Sequence, residues 1–397
     1  MLRTIAISVM AVAGALSAAG QANDINDVIS TYNEAAATGT AAERSAAARA
    51  LGAAAMSNPD RDDAGLLAYE AGQSLCVYDA CDGTPQLAAF AASADIPANA
   101  VPPAHIAILG AYADWKASPG GQSRDALDAA LQAGVDSGVS LLTLTAYQAR
   151  YLHDFERSDY REAEINARRA AEHFAPFKDM IGKNWSDAAI AGIIAGFNRN
   201  PDTQDVVEMA EHRVALAKLS SETSEIPDWL DRHHHLAHAW QLAMHAYYQS
   251  GGGRRQTGSR LQGPDPEELE TVVSSILRKM RDYPTIRTRV VSAEEYGAQK
   301  NLLPFCSGEF DMTPQLRYPL RASQRGMYGA VLAKINVTDL QVSDVEILAA
   351  VPHSTFEERA RETIMKWRWE VSSGTPGETC RTDHSNIFIP LVFAMES

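Results

Sequence analysis

Between Asp24 and about Asp282, apolar residues recur at three- and four-residue intervals, the spacing that lays one stripe along an α-helix. Breaks fall at Pro59, Pro102, Gly120, Pro201 and Pro227. The pattern predicts a succession of helices with almost no strand. Its clearest unit runs from Leu141 to Phe177, where Ser158-Asp159-Tyr160 separates two helical patterns and Ala163, Ala167 and Ala170 follow at spacings of four and three. Weaker helix pairs lie around Ala64 to Ala92 and Asp125 to Leu144. A further helix is predicted from Pro227 to Tyr248, followed by a loop with Gly251, Gly252, Gly253, Arg254, Arg255, Gly258 and Arg260. Asp265-Pro266-Glu267-Glu268 then opens another helix, with an N-cap, a first-turn proline and acids at the positive dipole end.

After Tyr283 the period changes from helix to strand. Ala330 to Val337 sets Val331, Ala333, Ile335 and Val337 against Leu332, Lys334 and Asn336. Val342 to Val351 alternates likewise through Val345, Ile347 and Ala349, and the short gap Thr338-Asp339-Leu340-Gln341 predicts an antiparallel hairpin. That gap has no glycine to supply positive φ. Ser354-Thr355-Phe356-Glu357 reads as a capping box, opening a helix whose Phe356, Ala360, Ile364 and Trp367 form one stripe against the hairpin. A last strand, Asn386 to Met395, carries Ile387, Ile389, Leu391 and Phe393 on one face. Pro390 has no N–H and so favours an edge.

Two resemblances follow. The Leu141–Phe177 unit resembles a tetratricopeptide helix pair, in which small residues let antiparallel helices approach, with a plain helical bundle as the other architecture the pattern allows. From Pro314 to the end the chain resembles the C-terminal domain of TonB proteins. The carrying residues are Tyr318-Pro319, Gly326 and Gly329 before the first strand, Ile347-Leu348 in the second, and Phe356 with Lys366-Trp367-Arg368-Trp369 in the helix. The resemblance implies a three-stranded antiparallel sheet with two helices. It also implies an extended peptide, the TonB box of an outer-membrane receptor, bound by strand addition. The residues it points to are Gln315, Arg317, Tyr318 and Pro319, with the strand through Ile387, Ile389, Leu391 and Phe393 offering main-chain bonds. The expected fold class is α+β: 1–22 a signal peptide, 23–282 a helical array, 283–313 a linker and 314–397 the TonB-like domain.

Charge and cysteine content sharpen this division. The 397 residues carry a net charge of −15, which argues against nucleic acid as partner because phosphate binding needs clustered Lys and Arg. From Tyr283 onward, 12 Lys and Arg meet 14 Asp and Glu, a net of −2, so the helical region is the acidic body. Arg3, an apolar run from Thr4 to Leu16 and the small residues up to Ala22 form a signal-peptidase pattern with cleavage expected before Asn23. The mature chain is then expected to be periplasmic with no stable membrane span. Four cysteines in an exported chain read as two disulfides with three possible connectivities; Cys76 is near enough to Cys81 for a local bridge, and a bridge between Cys306 and Cys380 would tie the entry of one compact segment to its late loop.

The chemistry-bearing cluster is Asp231-Arg232-His233-His234-His235-Leu236-Ala237-His238, continued by His245. His234, His238 and His245 fall on one stripe opposite Leu236, Trp240, Ala243, Met244 and Tyr247, which reads as a polar face. His234 and His238 at four-residue spacing could share Zn²⁺, with the remaining ligands not identified by sequence. There is no Gly-x-Ser-x-Gly elbow, no His-Glu-x-x-His motif and no dinucleotide fingerprint. The reading that results is a non-enzymatic protein-binding adaptor without cofactor. Its competitors are a metal-dependent hydrolase on the His233–His245 helix and a TonB energy transducer with its N-terminal segment retained as an anchor. The transducer reading needs an inner-membrane helix and a long Pro-rich spacer, and here the prolines are scattered and an acidic helical region fills the spacer's place.

Overall fold

The computed structural model describes residues 21–78, 81–223, 226–251, 255–257, 260–262, 265–283, 303–325, 327–352 and 355–394. The apolar run from Thr4 to Leu16, Gly326, Ser354, Met395 and most of the expected linker lie outside them. Among the described residues no helix is long and apolar enough to cross a membrane. The chain is α+β and divides into two compact units, one reaching Glu156 and including Glu172–Met180, the other made of Arg157–Ala171 and Ile181 onward.

The first unit holds α1 (Gln21–Thr38), α2 (Ala41–Ser57), α3 (Ala64–Tyr78), α4 (Thr84–Ser93), α5 (Pro103–Ala117), α6 (Gly121–Ala133) and α7 (Leu141–Glu156). From α1 to α6 each helix packs on the next, and α3, α5 and α7 also touch one another. That alternate contact is the stacking of an array of helix hairpins. Small residues make it possible: Ala48, Ala55, Ala68 and Ala71 are fully buried around Leu51, Leu75 and Leu87. A Cβ on Gly52 would come within 2.8 Å of Leu87, so the glycine marks a close approach. At the start of α2 a capping box closes through Thr40 and Glu43. The Cys76–Cys81 disulfide forms, with Cys81 at φ 63°.

Helices α8 (Tyr160–Phe174) and α9 (Lys178–Arg199) carry the chain between the units, and α9 is kinked at Ile181 (φ −120°, ψ 32°). Ala163, Ala167 and Ala170 of α8 are fully buried. The second unit continues with α10 (Thr203–Glu222) and α11 (Asp228–Gln249). A ribbon of β1 (Arg255–Thr257) and β2 (Arg260–Gln262) follows, then α12 (Pro266–Arg278). The glycine- and arginine-rich loop therefore contains two short strands that its composition does not announce.

The sheet comprises β3 (Ser307–Asp311), β4 (Gly329–Thr338), β5 (Gln341–Val351), β6 (Arg368–Ser373) and β7 (His384–Phe393), with the short helix α13 (Leu320–Gln324) before β4 and α14 (Glu357–Ile364) after β5. Its order is β3-β6-β5-β4-β7, antiparallel throughout. Five strands replace the expected three. The expected three are its contiguous part, β5-β4-β7, and the β3–β6 ribbon joins β5 through the single pair Gln341↔Arg368. Arg368 and Trp369, expected in the helix, belong to β6. The Trp369 amide donates to Leu340 O at 2.7 Å and its indole Nε1 to Cys306 O at 2.9 Å. β3 and β6 are short, with Phe310 the one large apolar residue of β3 and only Trp369 and Val371 alternating in β6, too few positions to mark a strand by period-two reading. The Cys306–Cys380 disulfide ties the start of β3 to the loop between β6 and β7.

The β4–β5 turn attains positive φ without glycine, at Asp339 (48°) and Leu340 (63°). Contacts from elsewhere hold it: Asp339 N donates to Asp383 Oδ1 at 2.9 Å and Leu340 N to Thr382 O at 3.2 Å. The helix expected from Ser354 begins at Glu357, and its stripe Phe356, Ala360, Ile364 and Trp367 is buried as expected.

Both faces of the sheet are covered. On one, Val331, Ala333, Ile335, Leu391 and Phe393 pack with Phe356, Ile364 and Trp367. On the other, Ala330, Leu332 and Val351 pack against Ala239 and Ala243 of α11. The opposite side of α11 buries Leu230, Ala237, Met244 and Tyr248 with α10 and α12. The compact unit thus continues through the place near Tyr283 where the sequence changes character.

Candidate functional site

The position of β7 follows from its proline. β7 pairs with β4 from Gly329↔Phe393 to Ile335↔Ile387, placing Leu332 opposite Pro390, and it is the last strand of the sheet. In an antiparallel ladder, successive residues direct their main-chain groups alternately to the two neighbouring positions. A proline is accommodated where its nitrogen is not asked to donate, so Pro390 turns its main chain away from β4. Val392 shares that parity, whereas Ile387, Ile389, Leu391 and Phe393 bond toward β4. The same four residues turn their side chains into the sheet core, while Pro390 and Val392 are exposed. What β7 can offer a partner is therefore main chain.

The segment before α13 runs along the helix-bearing face. At one end Trp367 Nε1 donates to Pro314 O at 3.3 Å. At the other, the Tyr318 ring stands edge-on to Phe356 (5.7 Å) and Phe393 (6.0 Å), which stack on each other at 4.3 Å. Burial raises the Tyr318 hydroxyl pKa, and that oxygen has no hydrogen-bond partner among the described residues. Tyr318 and the half-buried Pro319 anchor the segment, leaving Gln315 and Arg317 exposed between the anchors. Leu320, 72% exposed, follows directly. Hydropathy alone would have placed Leu320 inside.

The histidine helix answers differently from its sequence pattern. His234, His238 and His245 were expected on a solvated face, yet each is half-buried because α11 is covered on two sides. His233 is buried and its Nε2 meets Asp187 Oδ1 at 3.2 Å. The ring of His235 stacks on Phe388 of β7 at 6.2 Å. Burial lowers the pKa of His245, against the opposing charge of Glu270. Among the described residues no three or more His, Cys, Asp or Glu side chains are placed to hold a metal ion.

Sequence reading did not detect the contact of Ser186 Oγ with His212 Nε2 at 2.9 Å. In form this is a nucleophile and its base. Ser186 is fully buried, however, and burial pushes His212 down to about 3, so the pair is a hydrogen bond of the core that substrate does not reach.

A sheet with an exposed final strand, two helices on one face and the Tyr-Pro anchor is compatible with the TonB C-terminal resemblance of the sequence. Residues 314–387 match the model of the Gram-negative bacterial TonB protein C-terminal family. Two proteins named Protein TonB, from Salmonella typhimurium (strain LT2) and Escherichia coli (strain K12), are each 39% identical to this chain over 64 residues. The match covers 16% of this chain and 26% of each relative, so the chain spans about a quarter of the length of the curated relatives it matches.

Proposed function

We propose that this chain is a periplasmic, non-enzymatic adaptor whose TonB-like domain captures an extended peptide segment along β7. The observation that carries the reading is the combination of the TonB C-terminal match with an edge strand whose outward positions, Pro390 and Val392, are exposed. An added strand gains main-chain hydrogen bonds from the edge and selectivity from flanking side chains. By analogy with the relatives, the partner is a TonB-dependent outer-membrane receptor offering its TonB box. Two disulfides support an oxidising compartment.

The sheet does not act as a free arm in this proposal. Because α11 packs on β4 and β5, a strand added at β7 joins a layered body that includes α10 and α12. The helical array supplies further surface for protein contacts.

Hydrogen exchange on the full chain tests the reading. With TonB-box peptides present, the Val392 amide is expected to slow at least ten-fold while amides of the first unit stay unchanged. Unchanged exchange at Val392 with every peptide would sink it. Crosslinking in the native periplasm identifies the partner directly, and N-terminal sequencing of the mature protein is expected to start at Asn23; an intact N-terminus would favour an anchored protein instead.

A further inference from the structure

The outward face of β7 carries a feature that strand addition alone does not require. Pro390 is exposed, lies opposite Leu332 and turns its main chain to the free side of the sheet, so at that register position the edge presents a carbonyl but no N–H. Val392, at the next outward position, presents both groups. Any strand added here finds an acceptor opposite its own N–H at Pro390, and nothing to satisfy its own carbonyl.

This deficit weighs unequally on different partners. A heterologous strand loses one hydrogen bond. A second copy of β7, paired antiparallel about a two-fold axis, brings a second proline of the same parity. If the axis passes through residue 390 the two prolines face each other with no donor between them. In any other register in which outward positions meet, each proline leaves one carbonyl of the other copy unpaired. Self-pairing therefore loses two bonds in every such register.

A long, apolar edge strand is otherwise a template for such pairing, and natural sheets place prolines and charges on their edges against it. β7 is ten residues long, and its only titratable side chain is His384 at its first position. Proline is then the one such device along the strand.

We propose that Pro390 is the specificity-determining residue of this edge: it discriminates against a second copy of the same chain while leaving the edge open to a single extended partner segment. The second half rests on the strand-addition reading above; the first does not. A net hydrogen bond of about 1 kcal/mol corresponds to roughly five-fold in affinity, so two correspond to roughly thirty-fold. Restoring the donor should strengthen self-pairing far more than it strengthens peptide binding.

The test compares the full chain with its Pro390→Val and Pro390→Thr variants. Sedimentation at rising concentration, together with disulfide trapping between copies through Val392→Cys, reads self-pairing. Titration with TonB-box peptides reads strand addition. Self-pairing is expected to rise roughly thirty-fold in both variants, and peptide affinity roughly five-fold. Equal self-pairing with and without the proline, or equal gains in the two assays, overturns the proposal. Peptides that bind neither the parent nor the variants remove the strand-addition reading and with it the second half. The sedimentation result still decides whether Pro390 guards against self-pairing.

Discussion

The α2–α4 layer of the first unit and the sheet of the second are held together in different ways. Among α2, α3 and α4, burial is spread over many small side chains: Ala48, Ala55, Ala68 and Ala71 each remove little apolar area from water, and cohesion comes from their number and from close helix approach. In the sheet it is concentrated, with Tyr318, Phe356, Phe393 and Trp367 filling one core beside β4 and α14. Each aromatic there buries several times the area of an alanine. That layer can therefore drift in sequence at many positions, whereas the sheet depends on a few, and those few anchor the Gln315–Arg317 segment.

The sharpest test of that contrast is Phe356→Ala. The ring is fully buried, stacks on Phe393 and supports Tyr318, so its removal is expected to cost about 4 kcal/mol and to loosen the Gln315–Arg317 segment. Chemical denaturation, with exchange at Leu316, checks it; a loss below about 1 kcal/mol would contradict a concentrated core.

The helical unit has concentrated elements of its own: the aromatic contacts Tyr112–Trp115 and Tyr147–Phe174, and a buried arginine. Arg150 is fully buried and bonds to Asp128 (Nε–Oδ1 2.9 Å) and to Asp154. Arg150→Ala leaves the buried Asp154 carboxylate without its cation and is expected to cost about 3 kcal/mol. Arg150→Met with Asp154→Leu should recover most of it, because removing a whole buried pair costs far less than breaking one. A double variant as unstable as the single one would show that the ion pair does more than compensate its own burial.

The smallest effect concerns acid. His105 and His173 are buried in the first unit, and burial lowers both pKa values; the charge of His105 lowers that of His173 further, and the Gly138 backbone opposes both shifts. A histidine whose folded pKa is depressed contributes stability that is complete above its unfolded value, about 6.5, and is lost as pH falls below it. Thermal unfolding followed from pH 7.5 to 5 is expected to show the first unit losing stability, and His173→Gln should flatten that slope. A slope identical in the variant would remove His173 from the account. No corresponding loss is expected from the aromatic core of the sheet.

Much was legible in the residues because it depends on neighbours in sequence. Helical spacing located the array, period-two alternation located β4, β5 and β7, and the short gap at Asp339-Leu340 predicted their hairpin. Two disulfides were legible from the cysteine count, and the fold selects Cys76–Cys81 and Cys306–Cys380 among the three possible pairings. Pro390 predicted an edge because a missing N–H is a local fact with one global consequence, and β7 is at the edge. The candidate segment at Gln315–Pro319 was marked by resemblance, and the polar character of Gln315 and Arg317 agrees with their exposure.

What only the tertiary structure decided concerns surfaces meeting across distance. A histidine stripe looks polar on a helical wheel, but whether water reaches it depends on what covers the helix, and α11 lies between α10 and α12 on one side and β4 and β5 on the other. β6 became a strand because Trp369 bonds to Leu340 and Cys306, partners remote in the chain. The β4–β5 turn reached positive φ because Asp383 and Thr382 hold it from the next strand's approach. Local patterning fixes which elements form, because backbone and side-chain periodicity are short-ranged; which faces are buried, and where a strand is left to offer its main chain, follows from how those elements fill space together.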